Sequence, residues 1–280
     1  MKIAVFGSEG MLGFDVIKFL KTTSHEIVAP SEKDLDITDK ESVQAFMKNQ
    51  MPDRVINLAA LTDVEKCEID DEYYKRALEV NGDGPKILRD GLYKATKKAK
   101  FLHVSTDYVF SDKPNELVYI DDKPSPMNRY GYTKLKGEEI DKASIVRISW
   151  LYGDLQFKSF VSKIYHAYNA GKKIKAVGDE LGRLTNAKDF AEQFLAKWIE
   201  KPTRGGVYHF GNKEVTSRFE VAQRIVPWNA IVIPITTEEA NRIFKLKANR
   251  PKRVLLELEY TYRKFGYRPV PAKLPKAQGV

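Results

Sequence analysis

Short apolar runs alternate along the chain with longer stretches whose apolar positions recur every three or four residues. Lys2–Phe6 is a run of strand type that stops at Gly7, and Met11–Lys21 follows with Met11, Leu12, Val16, Ile17, Phe19 and Leu20 apolar, the pattern of a well-buried helix. Glu26–Ala29 and Arg54–Ala60 predict two more strands, with a short helix over Ser42–Asn49 between them. Residues 72–97 hold a long helical stretch, with a break expected near Gly82–Pro85 because both residues are poor in a helix interior. Phe101–Ser105 and Ile145–Ser149 predict the fourth and fifth strands. Strands that alternate with helices at this spacing predict parallel βαβ units and an α/β, doubly wound parallel sheet covered on both faces. Ligands of such sheets bind outside the carboxyl ends of the strands, so the residues just after each strand matter most.

The first of those places carries Gly7-Ser8-Glu9-Gly10-Met11-Leu12-Gly13, three glycines at three-residue spacing between a strand and a helix. Gly7 permits a tight turn, Gly10 lets a pyrophosphate approach the backbone, and Gly13 lets the helix pack close to the strand. The free N–H groups of the helix start then face the phosphates. The turn predicts a nicotinamide dinucleotide in a Rossmann domain over residues 1–150. After the second strand come Ser31, Glu32 and Lys33. Ser31 and Lys33 suit a 2′-phosphate and Glu32 a 2′-hydroxyl, so NADPH is favoured and NADH stays open. Beyond residue 150 the pattern loosens. Ser159–Ala170 and Ala187–Ile199 read as helices and Val207–Phe210 and Ile231–Ile235 as strands. A smaller, partly interleaved substrate-binding lobe is expected over 151–280, with its last ten residues, rich in proline and lysine, lacking order.

Composition narrows the partners. The 280 residues include 47 basic and 38 acidic side chains, a net charge of +9. The two signs are interspersed, so no nucleic-acid partner is expected, and the basic balance favours anionic ligands. Cys67 is the single cysteine, which excludes an intrachain disulfide and a cysteine zinc site, and His25, His103, His166 and His209 lack ligand spacing. No metal is expected. There is neither an apolar run of the roughly 18 residues that a membrane helix needs nor a signal-peptide pattern, so no membrane and a cytoplasmic location are expected.

Tyr130 and Lys134 stand at i and i+4 in Tyr130-Gly131-Tyr132-Thr133-Lys134 and share one helix face. A phenol is a poor acid–base group at neutral pH, and an ammonium beside it is expected to lower its pKa. Ser105-Thr106-Asp107-Tyr108-Val109-Phe110 puts a hydroxyl at the fourth strand's carboxyl end, where a substrate carbonyl would be polarised.

The order of nucleotide turn, strand-end hydroxyl and Y-x-x-x-K resembles the extended short-chain dehydrogenases/reductases, and among them the dTDP-4-dehydrorhamnose reductases. The matching runs are GSEGMLG (7–13), LDITD (35–39), VINLAALTDVEKCE (55–68), STDYVF (105–110), YGYTKLKGE (130–138), RISWLYG (147–153) and ANRP (248–251). The resemblance implies pyrophosphate contacts at Gly7, Gly10, Met11 and Leu12 and adenine-edge contacts at Asp36 and Ile37. It places Ala59, Ala60 and Thr62 beside the ribose and nicotinamide. It implies a substrate pocket at Val64, Asp107 and Trp150, and Thr106, Tyr130 and Lys134 as the catalytic triad, with Lys134 also on the ribose. The implied reaction is reduction of the C4 ketone of a dTDP-4-dehydro sugar by NADPH or NADH, in a homodimer. Arg147, Arg183 and Arg250 are candidates for the substrate's diphosphate. The resemblance weakens at Asp179-Glu180-Leu181-Gly182-Arg183-Leu184-Thr185, where Glu180 replaces the usual glutamine and Leu184 the usual proline. Two other readings remain open: a sugar-nucleotide epimerase of the same fold, and a non-catalytic NADP-binding subunit like that of methionine adenosyltransferase.

Overall fold

The computed structural model describes residues 1–113, 116–201 and 205–277. Five strands follow the apolar runs: β1 (Lys2–Phe6), β2 (Glu26–Val28), β3 (Arg54–Asn57), β4 (Lys100–Thr106) and β5 (Ser144–Ile148). The strand Gly206–Phe210 pairs in parallel with β5 and completes a six-stranded sheet. Its order is Gly206–Phe210, β5, β4, β3, β1, β2, with every neighbouring pair parallel.

Successive side chains of a strand face opposite sides, so each strand feeds two cores. Ile3, Val5, Ile56, Leu102, Val104, Val146 and Ile148 pack on one side against Leu12, Val16 and Leu20 of α1 (Met11–Leu20) and the aromatic residues Phe190, Phe194 and Trp198. Ala4, Phe6, Val55, Phe101 and Ile145 pack on the other side against Val43 and Met47 of α2 (Lys40–Gln50) and against Leu88 and Leu92. The helical run 187–200 and the strand Gly206–Phe210 therefore belong to the first layer structure, and a cut at residue 150 passes through it. The apolar face of residues 187–199 packs in one core with the main sheet.

The run from Asp71 to Ala95 stays helical through the expected break, with a π-helical turn over Leu78–Asp83. Proline is tolerated there because Pro85 stands in the first turn after the register change, where the i−4 bond is already interrupted. The second lobe is built on Tyr152, Val161, Ile164, Ile174, Ala176, Val221 and Ile225. It adds a parallel pair, Ile174–Val177 with Val232–Ile235, and an antiparallel pair, Leu181–Arg183 with Val215–Ser217. The tail expected to lack order lies against this lobe as far as it is described. Ala272 and Ala277 are buried, and the Ala277 N–H donates to the Ile225 carbonyl. Residues 278–280 fall outside the described residues.

Candidate active site

β1 and β3 are neighbours whose chain connections leave in opposite directions, so a crevice opens at their carboxyl ends. Gly7 turns the chain there at φ +77°, and a Cβ on it would sit 2.5 Å from the Ala59 nitrogen. A Cβ on Gly13 would sit 2.2 Å from the Gly7 carbonyl oxygen, so only glycine lets α1 start this close to β1. Gly10 differs: a Cβ there would meet one protein atom at 3.5 Å, so the glycine leaves room on the outer side of the turn. No side chain caps α1 and its first turn holds no acid, which leaves its positive end available to an anion. The cleft beyond the turn is lined by Gly7, Ser8, Gly10, Asp36, Ile37, Ala59, Ala60 and Arg76, among others. These features fit the pyrophosphate and adenosine of a dinucleotide.

Arg76 is the one cation of that lining among the described residues. It binds Asp36 at 2.6 Å and also donates to Thr38 and Glu79. Burial works to raise the Asp36 pKa, but the hydrogen bonds from Thr38 and Arg76 bring it below the ordinary value. Glu32 lines the cleft, whereas Ser31 donates its hydroxyl to Asp34 and Lys33 is exposed outside the lining.

The catalytic candidates meet one crevice further along the sheet. Thr106 ends β4, and Asn128 caps the helix Arg129–Gly137 that carries Tyr130 and Lys134. Thr106, Tyr130 and Lys134 are 9%, 8% and 2% exposed, so all three chemistries are sheltered from bulk water. Tyr130 packs with Cys67 and Ala77, with Val64 against the same cluster, and its ring meets Tyr108 edge-on at 5.9 Å. The expected lowering of its pKa by Lys134 is not what the structure shows. Burial pushes the phenol up, and the neighbouring Thr106 side chain pulls it part of the way back. Lys134 donates instead to the Val104 carbonyl at 2.8 Å, and its own burial lowers it to about 8, opposed by Glu138. Helical spacing gives the shared face; the carbonyl that claims the ammonium comes from another element.

Asn81, in the π-helical turn, donates to the Leu61 carbonyl and to the Thr133 hydroxyl and accepts from the Leu61 N–H. It thereby ties the helix Arg129–Gly137 to the segment that follows β3.

Asp107 follows Thr106, accepts its hydroxyl at 3.1 Å and is 4% exposed. Burial raises its carboxyl to about 7, against the Thr106 hydrogen bond and the Arg218 charge. The folded protein thus keeps a proton that the unfolded chain releases near pH 4, and stability falls as pH rises from about 4 to about 7. Asp107→Asn is therefore expected to raise the melting temperature by an increment that grows over that window and levels off above it. The increment corresponds to on the order of 4 kcal/mol at its limit. Thermal melts of both proteins from pH 4 to pH 8.5 check this, and an increment independent of pH would count against a buried titrating carboxyl.

The same fold recurs in known proteins. Residues 1–274 match the family model described as the RmlD substrate binding domain. The chain belongs to that family. Among curated relatives, the spore coat polysaccharide biosynthesis protein SpsK of Bacillus subtilis is 31% identical over 85% of this chain and 84% of its own length. A dTDP-4-dehydrorhamnose reductase structure from Clostridium acetobutylicum is 33% identical, covers 97% of this chain and 95% of its own, and superposes with a TM-score of 0.86. A Bacillus anthracis dTDP-4-dehydrorhamnose reductase in complex with NADP is 29% identical over 97% of this chain and 95% of its own, with a TM-score of 0.87.

In this RmlD-type chain the expected site residues divide as follows. Gly7, Gly10, Asp36, Ile37, Ala59 and Ala60 line the cleft. Met11 and Leu12 contribute the start of α1, with the Leu12 side chain turned into the core. Thr62 is exposed and outside the cleft lining. Trp150 is half-buried and held at φ +41°, a strained backbone for a bulky residue and more common at functional sites. The three arginines considered for the diphosphate all have partners within the protein. Arg147 pairs with Glu138, Arg250 with Glu65, and Arg183 donates to the Leu256 and Lys213 carbonyls. Arg76, Asn81 and Arg218 were not singled out from the sequence, because each reaches the site from an element with no recognisable local motif. Among the described residues no group of three or more His, Cys, Asp or Glu side chains converges for a metal ion. No helix of the described residues is long and apolar enough to cross a membrane.

Proposed function

We propose that this protein reduces the C4 ketone of dTDP-4-dehydro-L-rhamnose to give dTDP-L-rhamnose, with NADPH as its preferred cofactor and NADH as a second. The observation that carries the reading is that Thr106 and Tyr130 are buried side by side at the carboxyl end of β4, with Lys134 buried one helical turn along from Tyr130. The 33% identity to a dTDP-4-dehydrorhamnose reductase across nearly the whole of both chains supports it. The NADP complex of the Bacillus anthracis reductase and the fit of the glycine turn support the cofactor.

Bound in the cleft, NADPH supplies the hydride. Gly7, Gly10 and the start of α1 hold the pyrophosphate, and Asp36, Ile37 and Arg76 border the adenosine. Burial keeps the Tyr130 phenol protonated, the state a reduction needs, so Tyr130 gives its proton to the C4 oxygen as negative charge develops there. Thr106 donates a hydrogen bond to the same oxygen. Lys134, still largely protonated at pH 7, adds positive charge beside the reacting oxygen. Trp150 and Val64 wall the sugar. A homodimer is part of this reading and rests on the resemblance. A cytoplasmic setting, which the single, buried Cys67 suits, is also part of it.

The test is loss of nicotinamide absorbance on adding enzymatically generated dTDP-4-dehydro-L-rhamnose, with NADPH and NADH compared. Rapid decay with NADPH, slower with NADH, is expected. No decay with either cofactor, in protein that binds NADPH, would overturn the reaction.

A further inference from the structure

Arg218 opens the helix Arg218–Ile225 of the second lobe, just after its cap Ser217. Its Nε donates to Glu180 at 3.0 Å, and Glu180 is buried. The guanidinium lies 4.4 Å from the centre of the Trp150 ring and 5.2 Å from that of Phe160. One carboxylate and two aromatic faces thus fix a single orientation of the fork. The two terminal nitrogens have no hydrogen-bond partner among the described residues, and the side chain is 19% exposed. They offer a rigid double donor of the kind that suits a phosphate.

A second cation stands beside it. Lys163 lies one helical turn beyond Phe160, and its ammonium has no ion pair or hydrogen bond among the described residues. Its pKa is lowered, by desolvation first and then by the charges of Lys158, Arg218 and Arg250, with Asp63 opposing. Arg250 is paired with Glu65 and Arg218 with Glu180, whereas Lys163 has no ion pair among the described residues and feels Asp63 only from beyond ion-pair distance. Like charges gathered in this way cost free energy that an anionic ligand returns.

The cluster borders the reacting end of the site: Thr106 pairs with Ile148 of β5, and Trp150, two residues further on, carries the Arg218 guanidinium over its ring. A pyranose ring is neutral, and its C1 lies across the ring from C4. With C4 at Tyr130 and Thr106, the diphosphate on C1 falls one ring-width away. We propose that Arg218 and Lys163 form the subsite for the diphosphate of the nucleotide sugar, with Glu180 as the positioning residue that aims the Arg218 fork. The inference rests on the sugar-nucleotide reading above. A full carboxylate at position 180 holds a guanidinium more firmly than an amide would.

Calorimetric binding of dTDP, thymidine and inorganic pyrophosphate to the full chain tests it, in wild type, Arg218→Gln, Lys163→Gln and Glu180→Gln. Arg218→Gln is expected to weaken dTDP by about ten- to a hundredfold and to abolish pyrophosphate competition, with thymidine unchanged. Lys163→Gln, at an exposed position, is expected to weaken dTDP by about three- to tenfold and keeps the test alive if the arginine variant does not fold. Glu180→Gln is expected to lower dTDP affinity and leave thymidine binding alone, a selectivity that loss of packing would not produce. Wild-type dTDP affinity in folded, NADPH-binding Arg218→Gln or Lys163→Gln protein would overturn the subsite. If wild type needs Arg218 to bind dTDP or pyrophosphate yet does not reduce dTDP-4-dehydro-L-rhamnose, the reaction fails and the subsite stands.

Discussion

Replacing Tyr130 by phenylalanine is expected to lower turnover by roughly 10²–10⁴-fold, the usual contribution of a positioned general acid. The loss should be one of chemistry. The Tyr130 ring packs with Cys67 and Ala77 and meets Tyr108 edge-on, contacts that phenylalanine keeps. What disappears is the hydroxyl that lies beside Thr106 and carries the proton. The expected pattern is a fall in kcat, with NADPH binding and the melting temperature retained. Single-turnover absorbance decay separates this from slow product release. Retention of more than about a tenth of wild-type turnover would remove Tyr130 from the proton-donating role.

The parts of this site that lie close together in the chain could be read from the sequence. Strand β1 ends where the apolar run ends, and the glycine turn and the Tyr130–Lys134 spacing fall where the structure has them. Each is a local signal, set by the backbone needs of a few neighbouring residues. What the sequence withheld depends on distant partners. The spacing of Tyr130 and Lys134 says nothing of the Val104 carbonyl that takes the Lys134 ammonium. The dipeptides around Gly82 and Pro85 suggest a break, but the long helix continues, because tertiary contacts of Asn81 with Leu61 and Thr133 stabilise a π-helical turn. Val207–Phe210 could be read as a strand, but not that it would join β5 across the domain boundary. Arg147 is a candidate for the diphosphate on the sequence because a guanidinium suits phosphate and the residue lies near a strand end. It is instead a buried member of an ion pair, while Arg218, in a segment with no motif, is the arginine left with open donors.

Removing one member of that buried pair should be among the most damaging changes to stability. Arg147 and Glu138 are 4% and 6% exposed and meet through three hydrogen bonds, the shortest 2.7 Å. Glu138 also accepts the Ser105 hydroxyl at 2.6 Å, and the Arg147 guanidinium lies 4.8 Å from the centre of the Phe110 ring. Glu138→Ala would leave the guanidinium buried with only the Ile120 carbonyl and an aromatic face for company. A loss of about 3–5 kcal/mol is expected, because an unpaired charge keeps its full desolvation cost. The pair itself is worth much less than that. Bringing two ions out of water nearly cancels their attraction, so Glu138→Leu with Arg147→Met should recover about half or more of the single-variant loss. The pair also lies one helical turn beyond Lys134, whose ammonium Glu138 favours. The double variant should therefore regain stability without regaining full activity, and the pH at which activity is lost on the alkaline side should move down. Urea-unfolding curves for both single variants and the double variant, with pH–rate profiles for the double, decide the matter. A double variant as unstable as Glu138→Ala would mean that lost packing, and not a stranded charge, accounts for the damage.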